Sequence, residues 1–172
     1  TGEGLRKLAE VLDERAGEIP PLENGGDPLL WIDRVFTIKG SGTVVTGTLL
    51  DGALHVDDTI VIGPRGIRAR IRGLEVHDTP VPTAQPGSRT AVNLAGVDGA
   101  ALGRGMYLHY PHKRMPLTVI NGRLRLLPDA PALNVLEDVK LYRGSLETMA
   151  KLRLLDREQL LPGETCLAQW SL

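Results

Sequence analysis

The sequence is poor in aromatic residues and in cysteine. Aromatic side chains make up only 3% of its 172 residues, so the core has to be built mainly from Leu, Val, Ile and Ala. The single cysteine, Cys166, excludes an internal disulfide and fits a reducing cytoplasm. No apolar run approaches the roughly 18 residues of a membrane span, and no secretory hydrophobic region opens the chain. We therefore expect a cytoplasmic globular protein with an aliphatic core.

The sequence also lacks the residue patterns of most catalytic and metal sites. Its four histidines show no ligand spacing with Cys166 or with one another: His55, His77, His109 and His112. No Ser/His/Asp set and no pair of catalytic carboxylates can be assembled. Residues 42–48 have the glycine spacing of a phosphate-binding loop, but they contain no lysine and lie between predicted strands. Since an Asn-Lys-x-Asp motif is missing too, we expect no enzymatic activity, cofactor or metal in this chain.

Charge is unevenly distributed along the chain, although the net charge is only −1. Residues 1–27 contain three basic and seven acidic side chains, a balance of −4. Residues 28–111 balance at +1 and residues 112–172 at +2. Because most of the chain is nearly neutral, a surface for nucleic acid has to be a local basic patch.

The first segment has the pattern of an amphipathic helix. Leu5, Leu8, Leu12 and Ala16 follow helical spacing, with Thr1 or Gly2 as candidate caps. Gly17 and then Pro20-Pro21 end the helix, and a linker follows to residue 28. A lone helix of this length is marginal in water, so we expect it to pack on a partner.

Short β patterns separated by turn signals fill residues 28–111, which we call the first β unit. Six strands with no helix between them predict a closed or nearly closed barrel. In one strand Ile67, Ala69 and Ile71 alternate with three arginines, which therefore share an outward face. The predicted strands are Leu29–Ile38, Thr43–Leu50, Thr59–Ile62, Ile67–Val76, Ser88–Leu94 and Gly105–His109.

A second β unit covers residues 112–172, with turns at Pro128-Asp129, Arg143-Gly144 and Pro162-Gly163. Its predicted strands are Leu117–Leu127, Asp138–Tyr142, Thr148–Leu155 and Thr165–Trp170. Cys166 lies in the last of these, where a buried structural thiol is expected and not a nucleophile.

The stretch Asp33-Arg-Val-Phe-Thr-Ile-Lys-Gly-Ser-Gly-Thr-Val-Val-Thr-Gly-Thr48 resembles the barrel that follows the GTPase domain in translation factors of the elongation factor Tu type. Its Asp-Arg pair and its Thr-Gly-Thr ending most resemble the selenocysteine-specific elongation factors. The resemblance implies a mainly β fold of two consecutive antiparallel barrels after one helix. Residues 1–27 would be the terminal helix of a GTPase domain with a linker, 28–111 the second-domain barrel, and 112–172 a third-domain barrel truncated at its C-terminus.

The same resemblance implies a binding site. Asp33 and Arg34, joined by Arg89 from Gly87-Ser88-Arg89, would line a pocket for the aminoacyl group. From the residues alone, charged side chains in mid-strand usually occupy solvated outer positions. The implied partners are selenocysteinyl-tRNA, the ribosome and a GTPase domain in cis, with GTP and Mg²⁺ bound only in the parent protein. Neither membrane nor DNA is an expected partner.

Two basic groups are candidates for tRNA backbone contacts, although an ordinary solvated strand face explains the first of them at least equally well. They are Arg68, Arg70 and Arg72 in the first β unit, and Lys113, Arg114, Arg123 and Arg125 in the second. Two alternatives to the selenocysteine interpretation stay open. One is a fragment of another translational GTPase, such as elongation factor Tu or an initiation factor subunit. The other is a β-barrel binding scaffold without a tRNA role.

Overall fold

The computed structural model describes residues 2–19, 26–38, 40, 42–111 and 117–172. One α-helix, α1 (Leu5–Glu18), precedes the β strands. The first β unit contains β1 (Leu29–Ile38), β2 (Gly42–Asp51), β3 (Leu54–His55), β4 (Thr59–Gly63), β5 (Ile67–Val76), β6 (Thr79–Val81), β7 (Thr83–Ala84), β8 (Arg89–Ala95), a 3-10 turn (Gly99–Ala101) and β9 (Tyr107–His109). The second contains β10 (Val119–Arg125), β11 (Leu133–Asn134), β12 (Leu136–Arg143), β13 (Leu146–Leu154), β14 (Gln159–Leu160) and β15 (Thr165–Ser171).

The first β unit is a closed antiparallel barrel of six strands. The strands are hydrogen-bonded in the order β4-β9-β1-β2-β8-β5, and β5 pairs back with β4 to close the ring. Strand β6 pairs antiparallel with the C-terminal end of β5, while β3 and β7 form a separate two-stranded ribbon. The six predicted strands are all present, and the predicted mainly β class is confirmed. The three short strands β3, β6 and β7 were not predicted.

The barrel core is aliphatic, as the composition requires. Leu30, Ile32, Ile60, Ile62 and Leu108 have no exposed surface. Along β5 the predicted alternation is confirmed, because the side chains between the three arginines are buried and the arginines themselves are exposed. Such a strand lies with one face on the core and the other in water.

The second β unit has a smaller core and, among the described residues, an open sheet. Its four strands follow the order β10-β15-β13-β12, and β11 pairs with β14. The described part of the chain shows no pairing between the two outer strands, so the expected closure into a second barrel stays a prediction. Cys166 is 3% exposed within the core of this unit. Burial raises the pKa of its thiol, which suits a structural residue.

Helix α1 lies apart from both cores. None of its side chains is buried, and Leu5, Leu8 and Leu12 are more than half exposed. The expected packing partner of this helix is therefore not among the described residues. Gly4, with φ of 83°, occupies the N-cap position, so the prediction of Gly2 as the cap was wrong, and Thr1 lies outside the described residues. Nothing in the described helical structure has the length and apolar character that a bilayer crossing requires.

Candidate functional site

A β-bulge places Asp33 and Arg34 on the same side of the barrel wall. Ile32 pairs with Gly47 and Arg34 pairs with Thr46, so Asp33 is an extra residue in β1. Ile32 is fully buried on one side of the bulge and Val35 packs against the core on the other. In a regular strand Arg34 would have taken a core position, but the bulge lets both charged residues lie outside.

Asp33, Thr46 and Arg89 meet across three neighbouring strands. The Thr46 hydroxyl donates to Asp33 Oδ1 at 2.8 Å. Arg89 Nη2 donates to the same oxygen at 3.2 Å, and Arg89 Nη1 donates to Asp33 Oδ2 in a shorter contact. Arg89 Nη2 also lies 3.4 Å from the Thr46 hydroxyl oxygen. The structure thus brings together two of the three predicted pocket residues in a bidentate ion pair.

Close approach of the strands makes this geometry possible. Arg89 pairs with Thr48 on β2, while Thr46 faces the bulge on β1. Gly47 lies between these two threonines, and a Cβ atom there would come within 2.0 Å of the Trp31 carbonyl oxygen. Only glycine therefore allows β1 and β2 to pack at this distance.

The pair fixes the charge state of Asp33. Burial raises the pKa of Asp33, but the hydrogen bonds from Arg89 and Thr46 and the Arg89 charge outweigh it. The net effect holds the pKa of this carboxyl below its usual value, and Asp33 in turn raises the pKa of Arg89. The Arg89 side chain is still 51% exposed, so the guanidinium is accessible from solvent.

Arg34 adds a second positive charge beside Asp33 without joining the ion pair. It is exposed, and its side chain makes no hydrogen bond or salt bridge among the described residues. Its charge acts on Asp33 at longer range and also lowers the pKa of that carboxyl. Two guanidiniums beside one carboxylate leave the site with a net positive charge, so its chemistry suits an anion.

Sequence reasoning missed three residues at this site. Thr46 belongs to the quoted Val-Val-Thr-Gly segment, but nothing in the sequence shows that a bulge turns Asp33 towards it. A cavity of about 380 Å³ beside Asp33 is also lined by Arg104 and by Ser145 of the second β unit. Arg104 belongs to a Gly-Arg-Gly turn, and Ser145 follows a predicted turn, yet neither position carries a signal of contact with β1.

The three arginines of β5 are exposed but lie away from the Asp33–Arg89 pair. Arg70 pairs with Ala95, at the opposite end of β8 from Arg89. At the usual strand rise this separation along β8 is roughly 20 Å. Arg70 is also engaged by Asp57, with Nη2 to Oδ1 at 2.6 Å. The structure therefore does not bring this basic face into the pocket.

The basic residues of the second β unit are only partly described. Arg123 and Arg125 are exposed on β10 and alternate with less exposed residues, so they share a face as predicted. Lys113 and Arg114 lie outside the described residues.

The glycine-containing segment 42–48 forms part of β2, in agreement with the predicted strand Thr43–Leu50. Within the described ranges, no group of three His, Cys, Asp or Glu side chains has the arrangement of a metal site.

Comparisons with known proteins relate this chain to elongation factors. The family model for elongation factor Tu domain 2 matches residues 42–109. The selenocysteine-specific elongation factor of Desulfomicrobium baculatum is 42% identical over 170 residues, which are 98% of this chain and 27% of that protein. Elongation factor 1-alpha of Metallosphaera sedula is 38% identical over 98 residues, 57% of this chain and 22% of that protein.

A solved structure shows the same fold. The crystal structure of a bacterial selenocysteine-specific elongation factor, EF-Sec, superposes with a TM-score of 0.78 at 24% identity. The match covers 99% of this chain and 27% of that one. This chain thus spans about a quarter of the length of the selenocysteine-specific proteins it matches.

Proposed function

Because this chain belongs to the family of the selenocysteine-specific elongation factors, we propose that it is the aminoacyl-tRNA-binding part of such a factor. In the whole protein it helps to deliver selenocysteinyl-tRNA to the ribosome during translation elongation. Asp33, Arg34 and Arg89 form the pocket for the selenocysteinyl group. The observation that carries this proposal is the Asp33–Arg89 ion pair, with Thr46 bound to it and Arg34 exposed next to Asp33.

Charge is the property by which this pocket distinguishes selenocysteine from serine. A thiol has an ordinary pKa of about 8.5, and a selenol is more acidic, so selenocysteine is an anion at neutral pH. Serine, carried by the precursor tRNA, stays neutral. A pocket with a net positive charge therefore favours the selenolate over the hydroxyl.

Arg89 keeps free donors for such a ligand. A guanidinium has five N–H groups. Nη1 makes one contact with Asp33, and Nη2 contacts both Asp33 and Thr46, which leaves the Nε–H and one N–H of Nη1 for a ligand. The remaining N–H groups are accessible because half of the side chain is exposed. Asp33 orients this guanidinium, and Arg34 supplies the second positive charge.

The tRNA backbone is proposed to contact the basic strand faces. Arg68 and Arg72 are exposed on β5, whereas Arg70 must first break or share its ion pair with Asp57. Arg123 and Arg125 present a second group on β10. Such contacts position a nucleic acid and carry no sequence preference.

In this proposal GTP and Mg²⁺ bind a GTPase domain of the parent protein, which acts in the cytoplasm. The residues described here do not fit either group, because segment 42–48 is a strand and no metal-binding set is found in the described part. This chain is proposed to catalyse no reaction by itself.

The test compares selenocysteinyl-tRNA with seryl-tRNA in binding to the wild-type chain and to Arg89→Ala. We expect the wild type to prefer selenocysteinyl-tRNA, and the variant to lose roughly tenfold or more of that preference, as for a charged hydrogen bond. Arg65→Ala is the matched control, because it removes the same charge from the same barrel. Arg65 donates to the Ala101 carbonyl and lies outside the proposed pocket.

Two results would favour the alternatives. Equal binding of both tRNAs by the wild type would favour a general elongation factor, such as the elongation factor 1-alpha relative. No salt-dependent binding of either tRNA would favour a barrel scaffold, because phosphate contacts always weaken as salt rises.

A further inference from the structure

The two β units meet at the turn between β12 and β13. Ser145 in this turn is half-buried, and its hydroxyl donates to the Ile32 carbonyl of β1 at 2.5 Å. The same oxygen accepts from the Gly105 N–H at 3.2 Å. A side chain of the second unit thus bonds the backbone of the first barrel at two points.

The bonded carbonyl belongs to the peptide that leads into Asp33. Ile32 is the last regular residue of β1 before the bulge. Its carbonyl also accepts from Gly105 N–H at 3.1 Å, and its own N–H donates to Met106 O at 2.8 Å. Because the peptide group is planar, fixing the Ile32 carbonyl also fixes the nitrogen and Cα of Asp33. The bulge breaks the ladder between β1 and β2, and the Ser145 contact adds to the bonds that hold the other edge of β1 at the same peptide.

The neighbouring glycine holds the turn against the barrel. Gly144 has φ of 58°, and a Cβ atom there would lie 2.4 Å from Cγ of Trp31. The Arg143 guanidinium lies 6.0 Å from the centre of the same ring. Trp31 is only 8% exposed, so the turn packs on a side chain that cannot move freely.

The turn also borders the pocket itself. The cavity of about 380 Å³ beside Asp33 is lined on one side by Trp31, Thr48 and Leu50 of the barrel. Gly144 and Ser145 line its other side. Movement of the turn would therefore change the space next to the Asp33 carboxylate.

We propose that Ser145 is a positioning residue for the aminoacyl pocket, which it serves by holding the Ile32–Asp33 peptide from the second β unit. This inference rests on the proposed function. It explains how a residue of the second β unit contributes to the selectivity of a pocket in the first. The pocket of the first barrel is complete only when the β12–β13 turn is docked.

The test measures Asp33 directly, by NMR titration of its carboxyl carbon in the whole chain. Ser145→Ala is expected to raise the pKa of Asp33 towards its ordinary value, because a loosened bulge weakens the contact with Arg89. Ser145→Thr keeps the hydroxyl and is expected to keep the low pKa. Thr148→Val is the matched control, since it also deletes one hydroxyl from this hairpin. That hydroxyl bonds only the Met149 carbonyl of its own strand.

A second arm measures the preference for selenocysteinyl-tRNA over seryl-tRNA. Ser145→Ala is expected to reduce it by roughly threefold to tenfold, the range for one lost hydrogen bond. Ser145→Cys serves as a second variant of similar size if Ser145→Ala unfolds.

The two measurements distinguish a failure of the positioning role from a failure of the proposed function. An Asp33 pKa that stays low in a folded Ser145→Ala variant would overturn the positioning role and leave Ser145 as an interface contact. A shifted pKa in a chain whose wild type shows no tRNA preference would support the positioning role and reject the proposed function.

Discussion

At the residue scale, the ionised form of Asp33 depends on its neighbours. Arg89 and Thr46 stabilise the carboxylate more than burial destabilises it, and the pKa of Asp33 is lowered. A lowered folded pKa means that the ionised carboxylate stabilises the fold above the unfolded pKa of about 3.9. This contribution is lost as the pH falls through the folded value.

Replacing Asp33 with Asn should therefore destabilise the first barrel at neutral pH but not in acid. We expect a loss of about 0.5 to 1 kcal/mol at pH 7, because the half-exposed guanidinium is screened by solvent. The difference from wild type should shrink towards zero as the pH is lowered below the folded pKa of Asp33. Urea denaturation at several pH values measures this difference in unfolding free energy. Asp129→Asn is the control for removing an exposed carboxylate. A difference independent of pH would contradict the ion-pair explanation.

The site was only partly predictable at this scale. The resemblance named Asp33, Arg34 and Arg89, and the structure places Asp33 and Arg89 in contact. The bulge was not predicted, although two adjacent charged residues between Ile32 and Val35 break the alternation of the strand. Thr46 could not be predicted, because its place opposite the bulge depends on the register between strands. The contact of Ser145 could not be predicted either, because its partner Ile32 is 113 residues away in the chain.

At the element scale, the β1–β2 hairpin depends on the absence of a side chain. A Cβ atom at Gly47 would lie 2.0 Å from the Trp31 carbonyl oxygen and 2.7 Å from Leu30 Cδ2. The first of these neighbours is backbone in a paired strand, so it cannot move aside without breaking the ladder. The register that places Thr46 opposite the bulge depends on this close approach.

Gly47→Ala should therefore cost about 2 to 3 kcal/mol of unfolding free energy. Gly73→Ala is the matched control in the same barrel, because a Cβ atom at Gly73 would meet nothing within 4 Å. We expect that control to change stability by less than about 0.5 kcal/mol. Equal losses in the two variants, measured by urea denaturation, would show that crowding at Gly47 is not the cause.

Long periodic strands were predicted well and short ones were not. The bounds of β1 and β5 agree with the prediction, because ten residues of alternation or apolar run give a clear signal. Strands β3 and β7 have two residues each, too few to show any period. Helix α1 was predicted from its spacing, but its partner could not be, because the sequence shows an apolar face and not what covers it.

At the scale of the whole molecule, the two β units differ in their means of stability. Among the described residues, the barrel core has fifteen buried apolar side chains and the core of the second unit has six. Every strand in the ring of the barrel has a paired neighbour on both sides. In the described part of the second unit, the outer strands β10 and β12 are not paired with each other. A smaller core and open edges both lower local stability.

Amide hydrogen exchange should therefore be faster in the second unit. Peptides from β10 and β12 are expected to exchange before those from β1, β2 and β8, as separate cooperative units do. Mass spectrometry of the intact chain at neutral pH measures this order. Uniform protection across both units would contradict this expectation and show that they open as one cooperative unit.

The bulge at Asp33 has a genetic consequence. Ile32 pairs with Gly47, and Arg34 pairs with the next residue, Thr46. Without Asp33, Ile32 and Arg34 would be adjacent in an ordinary ladder, with Ile32 in the core, Arg34 outside and Val35 again towards the core. A single codon thus separates a plain barrel hairpin from one that carries the pocket acid. Evolution can add or remove this acid without rebuilding the barrel.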